Sequence, residues 1–248
     1  MPYGNLNVDT VTTSTTGGVL GAGNASIMKN RIINGSMTVD QRNAGASVTP
    51  TNGQYLVDRW SYAATQTGKF TAQQNAGSVT LPVGFTNYLG FTSTSAYSVA
   101  AGDLFIAVQQ VEGYNIADLG WGTANAKTVT LSFQVYSSLT GTFSGALANS
   151  DSTRTYPFSY TVSSANTWTT ISVTIAGDTS GTWLKTNGSG VGVRFNLGSG
   201  STFLGTAGSW SGSNYTGTTG SVSVVGTSGA TFYITGVQLE VGSSATGF

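Results

Sequence analysis

Between Thr128 and Val135 the chain alternates without a break. Val129, Leu131, Phe133 and Val135 are apolar, and Thr128, Thr130, Ser132 and Gln134 are polar. A period of two puts every second side chain on one face of a strand, so this stretch reads as a half-buried β-strand. Strand after strand follows the same logic: "GQYLVDRWSYAAT", "DLFIAVQQVEG", "WTTISVTIAGD", "GVGVRFNLGSG" and "ATFYITGVQLEV". Clusters of Gly, Ser and Asn separate them, as turns require. "RIINGSMTVDQR" is expected to be a further strand, broken at Asn34-Gly35. Only "GYNIADLGWG" suggests helix, as one short turn. No repeat of fixed period is present, which argues against a propeller or solenoid. The expected fold is all-β: an antiparallel β-sandwich of jelly-roll type built from about ten strands.

What lies between the strands decides the surface. Charged residues make up 7% of the chain, against about 25% in an average soluble domain. Hydroxyls and amides therefore do most of the solvating. Nine basic residues balance nine acidic ones, and such low net charge favours association. The basic residues are scattered, which argues against nucleic acid, since that partner needs clustered Lys and Arg. There is no cysteine and no histidine. That excludes disulfides, zinc sites of the usual type, and nucleophilic triads that use a histidine base. No apolar run approaches the ~20 residues of a membrane-spanning helix. "MPYGNLNVDT" does not read as a signal peptide, so assembly in a cytoplasm is expected.

Residues 1–28 differ from the rest. A short β-type stretch runs into "TSTTGG" and "GAG", a loop-like composition. They are expected to form an N-terminal arm that orders by packing on a partner or a neighbouring copy. Residues 29–248 are expected to form the sandwich.

The run "NRIINGSMTVDQRNAG", the "DRW" at Asp58–Trp60, "TVTLSFQVYSS" at Thr128–Ser138, the stretch Trp168–Trp183 and the closing "FYITGVQLEVG" at Phe232–Gly242 occur in this order. They resemble a jelly-roll domain found in phage virion proteins, especially tail fibres and related appendages. The pattern is also similar to carbohydrate-binding jelly-roll modules. The resemblance implies a virion protein, usually trimeric, with residues 1–28 as the arm for attachment to the virion or to sister subunits. Those modules often hold a structural calcium through acids on the first and last strands. Here Thr235-Gly236 and Ser36-Met37 stand at those places, so no metal and no cofactor is expected.

Candidate chemistry is thin. Glycoside hydrolysis needs two carboxylates about 5–10 Å apart. Asp103 and Glu112 would sit at opposite ends of one strand, about 26 Å apart. Asp40, Asp58 and Asp178 lie at turn-like positions. No catalytic residue is assigned, and the chain is expected not to be an enzyme. Arg59 and Arg194 read as structural, with Arg59 in a buried ion pair. Trp60 and Trp168 belong to the core or its rim, and Trp121 plugs one end. Trp183, Trp210 and Tyr215 fall in Gly/Ser/Thr-rich segments with little apolar surface of their own. They are the candidates for contact with glycan or with a neighbouring subunit. The expected role is a tail-fibre or appendage protein contacting host surface polysaccharide; the alternative is a capsid or neck decoration protein with a purely structural role.

Overall fold

The computed structural model describes residues 30–248. The expected arm, residues 1–28, lies outside them. In chain order the strands are β1 (Tyr55–Val57), β2 (Trp60–Ala64), β3 (Phe70–Gln74), β4 (Leu89–Ser93), β5 (Leu104–Glu112) and β6 (Val129–Ser137). Then come β7 (Gly141–Ala148), β8 (Thr155–Val162), β9 (Thr169–Ile175) and β10 (Ser189–Ser199). The short pair β11 (Leu204–Gly205) and β12 (Gly217–Thr218) precedes β13 (Thr231–Val241). Among the described residues the only helical pieces are single 3-10 turns, two of them at Gly113–Asn115 and Ala117–Leu119 within the stretch that suggested one.

Two antiparallel sheets face each other: a six-stranded sheet in the order β1-β2-β5-β10-β7-β8 and a five-stranded one in the order β3-β4-β13-β6-β9. The sandwich follows from the alternation. Val129, Leu131, Phe133 and Val135 of β6 are buried, and their partners on β13 include the buried Ile234 and Leu239. Across the gap, Phe133 meets Tyr160 and Phe195 edge-on at ring centroids 5.0 and 4.9 Å apart. Trp60 is fully buried against Phe195. Edge-to-face rings suit the aromatic quadrupole, and together they make one continuous core.

The last strand, β13, is the middle of the five-stranded sheet. Its first half, Thr231 to Ile234, pairs with β4. Beyond that β4 ends, and residues 30–35 take its place. The Arg31 N–H donates to Leu239 O, and the Asn30 side chain bridges Val237 O and the Leu239 N–H at 3.1 and 3.0 Å. The expected strand over "RIINGSMTVDQR" does not form. Asn34 and Met37 adopt positive φ, and the segment is a series of turns. The Asn34 side chain holds it, accepting from the Val39 N–H and donating to Val39 O and Asp58 O. The Trp60 indole N–H donates to Asn34 O at 3.1 Å. The motif that resembles a strand is thus a clamp on β13. The register of β13 on β6 shifts between Thr235 and Gln238, with Gly236 at φ 61°, and the Thr235 hydroxyl donates to Asn87 O.

The two arginines are structural in different ways. Arg59 pairs with Glu112 at 2.5 Å, but about a third of each side chain is exposed, so the pair is not buried as expected. Arg194 lies on the outer face of β10, buried, with no carboxylate partner among the described residues. It donates to Asn214 Oδ1 and Ser152 Oγ instead, and burial lowers its pKa to about 10.

Candidate functional site

The loops at one end of the sandwich converge on indoles. Trp121 lies 4.7 Å from Trp183 and 5.3 Å from Trp210, centroid to centroid, and Trp183 and Trp210 are 5.3 Å apart. Tyr156 of β8 closes the group against Trp210 at 5.2 Å. Every indole N–H in the group is satisfied: Trp121 donates to Lys127 O, Trp183 to Ser180 O, and Trp210 to Ala176 O at 2.7 Å. Beside this cluster Arg154 donates Nε and Nη2 to the two Asp178 oxygens, both at 2.7 Å. A bidentate pair of this kind fixes both side chains.

The structure separates the three sequence candidates. Trp183 is buried behind Trp210. Trp210 is half-buried, and Tyr215 also. Those two line one depression of about 390 Å³, together with Gly205, Thr206, Ser209, Ser211 and Thr219. Segment 206–219 has little apolar surface, and the burial of Trp210 comes from Trp121, Trp183 and Tyr156, all distant in sequence. Tyr215 lies against Gly205, where any Cβ would run into its ring. The parallel pairing of β11 with β12 holds both walls of the depression in register. Among the described residues no charged side chain lines it. Its surface is one of hydroxyls, backbone and two ring systems, which suits neutral, hydroxyl-rich ligands.

A second concavity, of about 290 Å³, lies on the outer face of the five-stranded sheet. Ser132 and Gln134 of β6 and Thr170 and Ser172 of β9 form its floor, and Phe85 and Phe248 pack over it at 5.3 Å. Gln134 and Thr170 exchange hydrogen bonds at 2.9 and 3.1 Å. The sequence placed Ser132 and Gln134 on the polar face but offered no sign that segments 83–85 and 245–248 would cover them.

The described carboxylates are occupied. Of nine acidic residues, Asp9 lies outside the described residues. Asp40 and Asp58 accept backbone N–H groups, from Asn43 and Gly45 and from Gln41. Glu112, Asp118 and Asp178 pair with arginines. Asp103 accepts from the Ala100 N–H and from Tyr97 and Thr65, Asp151 from Thr153, and Glu240 from Thr246. The Ala100 N–H and the Tyr97 hydroxyl hold Asp103 below the usual carboxylate range. Burial pushes Glu112 up, but its own backbone N–H and Arg59 outweigh that, so it too is lowered. A general acid needs the opposite shift. Among the described residues no three His, Cys, Asp or Glu converge as metal ligands, and no helix is long and apolar enough to cross a membrane.

No family model matches the chain, and no curated protein matches its sequence. Solved structures do. The enzymatically active domain of tailspike protein 4 from bacteriophage CBA120 is similar at 12% identity and a TM-score of 0.46, over 86% of this chain but 21% of that one. TmCBM61 in complex with beta-1,4-galactotriose is similar at 8% identity and a TM-score of 0.41, over 86% of this chain and 99% of that one. The family 11 carbohydrate-binding module of Clostridium thermocellum, in complex with a mixed-linked tetrasaccharide, is similar at 14% identity and a TM-score of 0.38, over 80% and 97%. A phage tailspike domain and carbohydrate-binding modules are therefore among the structures this chain is similar to.

Proposed function

We propose that this protein is a non-enzymatic component of a phage particle, of tail-fibre or appendage type, that contacts neutral glycan on the host surface. The observation that carries the proposal is the meeting of Trp210 and Tyr215 in one uncharged depression whose other walls are mainly Ser, Thr and Gly. Ring faces stack on the apolar C–H face of a sugar, and the surrounding hydroxyls donate and accept to its polar rim. Engagement of every described acidic side chain in structural bonds supports a binding role over hydrolysis. Residues 1–28 would attach the protein to the virion or to sister subunits in a trimer, and several weak sites per particle would add through avidity.

Tyr215→Ala is the variant of choice, because Trp210 also holds the fold. It should weaken adsorption to host cells several-fold while the protein still melts as the parent does and remains on the particle. A structural cement protein would show the reverse, normal adsorption with particles that shed the protein on heating. That outcome sinks the glycan assignment. A monomer mass by light scattering of the full chain would sink the trimer.

A further inference from the structure

The six-stranded sheet carries another concavity on its outer face, at the edge opposite Trp210. Tyr55, Arg59, Ser61, Gln110, Glu112, Asn187 and Ser189 line a pocket of about 190 Å³ over β1, β2, β5 and the start of β10. Its central feature is a strained turn. Only Asp58 and Arg59 connect β1 to β2, and Arg59 sits at φ 74°, a region that a tight turn ordinarily gives to glycine. Such a backbone persists only where its surroundings over-determine it. Here the Asn34 side chain donates to Asp58 O, and Asp58 Oδ2 accepts the Gln41 N–H.

The strained turn carries Arg59 across β5. Its Nη2 donates to Glu112 Oε1 at 2.5 Å and to Gln110 O at 3.1 Å. Its Nε is shielded from solvent and has no partner among the described residues. An ion pair exposed to this degree contributes little to stability, so the pair does not offset the strain of the turn. The remaining groups are placed as well. Glu112 Oε2 accepts from Asn115 Nδ2, and the Ser189 hydroxyl donates to Gln110 Oε1 at 2.5 Å. Tyr55 is 44% exposed, with the Arg42 guanidinium 4.8 Å over its ring.

We propose that the Arg59–Glu112 pocket is a second saccharide site, taking one ring of a neutral glycan through two adjacent hydroxyls. Each hydroxyl both donates and accepts. The carboxylate takes the proton of one, while guanidinium and amide N–H groups donate to its neighbour. Tyr55 offers an apolar face for the sugar's C–H bonds. The Arg59 and Glu112 charges cancel within the lining, and the Arg42 guanidinium beside it is engaged on the Tyr55 ring, so an anion would meet the Glu112 carboxylate. The volume is below the roughly 300–1,000 Å³ of pockets for drug-sized ligands, which limits the site to one ring. This site is independent of the Trp210 depression, since four strands at about 4.8 Å each separate β1 from β8.

The test is titration of the ¹⁵N-labelled full chain, reading amide shifts. The probes are the methyl glycosides of galactose, glucose and mannose, with N-acetylneuraminic acid and inorganic phosphate as anionic counterparts. At least one neutral glycoside should give saturable shifts at Tyr55, Ser61, Gln110 and Ser189. Tyr55→Ala should weaken that binding about 3- to 10-fold, the effect of one aromatic contact, and Glu112→Gln should weaken it further. If Glu112→Gln does not fold, Tyr55→Ala decides alone, because the side chain it removes is exposed and outside the core. Shifts at these residues with the anionic probes only would overturn the proposal, and so would no saturable shift with any probe. Shifts confined to Trp210 and Tyr215 would overturn it while leaving the glycan-contact function in place. Shifts at Tyr55 and none at Tyr215 would sustain it and remove the Trp210 depression from that function.

Discussion

The Val237 N–H donates to Gly35 O at 3.0 Å, and the two backbones lie so close that any side chain at Gly35 would be driven into the Val237 carbonyl. This contact closes the half of β13 that β4 leaves open. Gly35→Ala should therefore destabilise the protein by about 3 kcal/mol, the upper end of overpacking costs. Urea unfolding measures it; a loss under roughly 0.5 kcal/mol, the range of neutral surface changes, would mean the clamp contributes nothing.

Asp178 is nearly fully buried, and its only cationic partner among the described residues is Arg154. Asp178→Asn would leave the guanidinium facing an amide and loosen the turn beneath Trp183. A loss of about 3 kcal/mol is expected, the usual cost of breaking a buried pair. Trp210→Ala should cost a similar ~3 kcal/mol, and Trp210→Phe should recover much of it. Equal melting temperatures for Trp210→Ala and the parent would contradict the packing role.

Tyr62 and Tyr160 have buried hydroxyls with no partner among the described residues, and burial pushes both phenols far above their usual range. In the unfolded chain they ionise near pH ~10. Above that pH the unfolded state has lost protons that the folded state keeps, so stability falls as pH rises. Phe at either position should remove its share of this alkaline loss. It should also raise stability at neutral pH by about 1 kcal/mol, because an unsatisfied hydroxyl disappears. A decrease at neutral pH would show that these hydroxyls are bonded after all.

Acid should act through Asp103. Its folded pKa is lowered, so its contribution is present above about pH 4 and is lost as pH falls through the folded value. Asp103→Asn should be less stable than the parent at pH ~6 and should lose less on acidification to pH ~2. The chain has no histidine, so between about pH 5 and 8 the stability curve should be flat. A step near pH ~6.5 would point to a strongly shifted group elsewhere.

The alternation of apolar and polar residues was enough to specify strands, their inward faces and a sandwich, because a period of two leaves one face for the core and one for water. Val129, Leu131, Phe133 and Val135 enter the core as that pattern requires. The short helical turn after Glu112 was legible too, in "GYNIADLG". Other features depended on contacts between residues far apart in the chain. "RIINGSM" has strand-like residues but becomes a clamp, because β13 offers it a free edge that only the assembled sheet possesses. Trp183 and Trp210 sit in similar Gly/Ser/Thr-rich sequence, yet one is buried and the other borders a depression. The difference comes from Trp121 and Tyr156, which reach the cluster from a distant loop and from β8, and no local spacing announces either. The partner of Arg59 was equally hidden, since Glu112 is 53 residues away and meets it only through the pairing of β2 with β5. Local propensity acts over a few residues, whereas a site is made by the register of strands distant in the chain, and that register exists only once the core has closed.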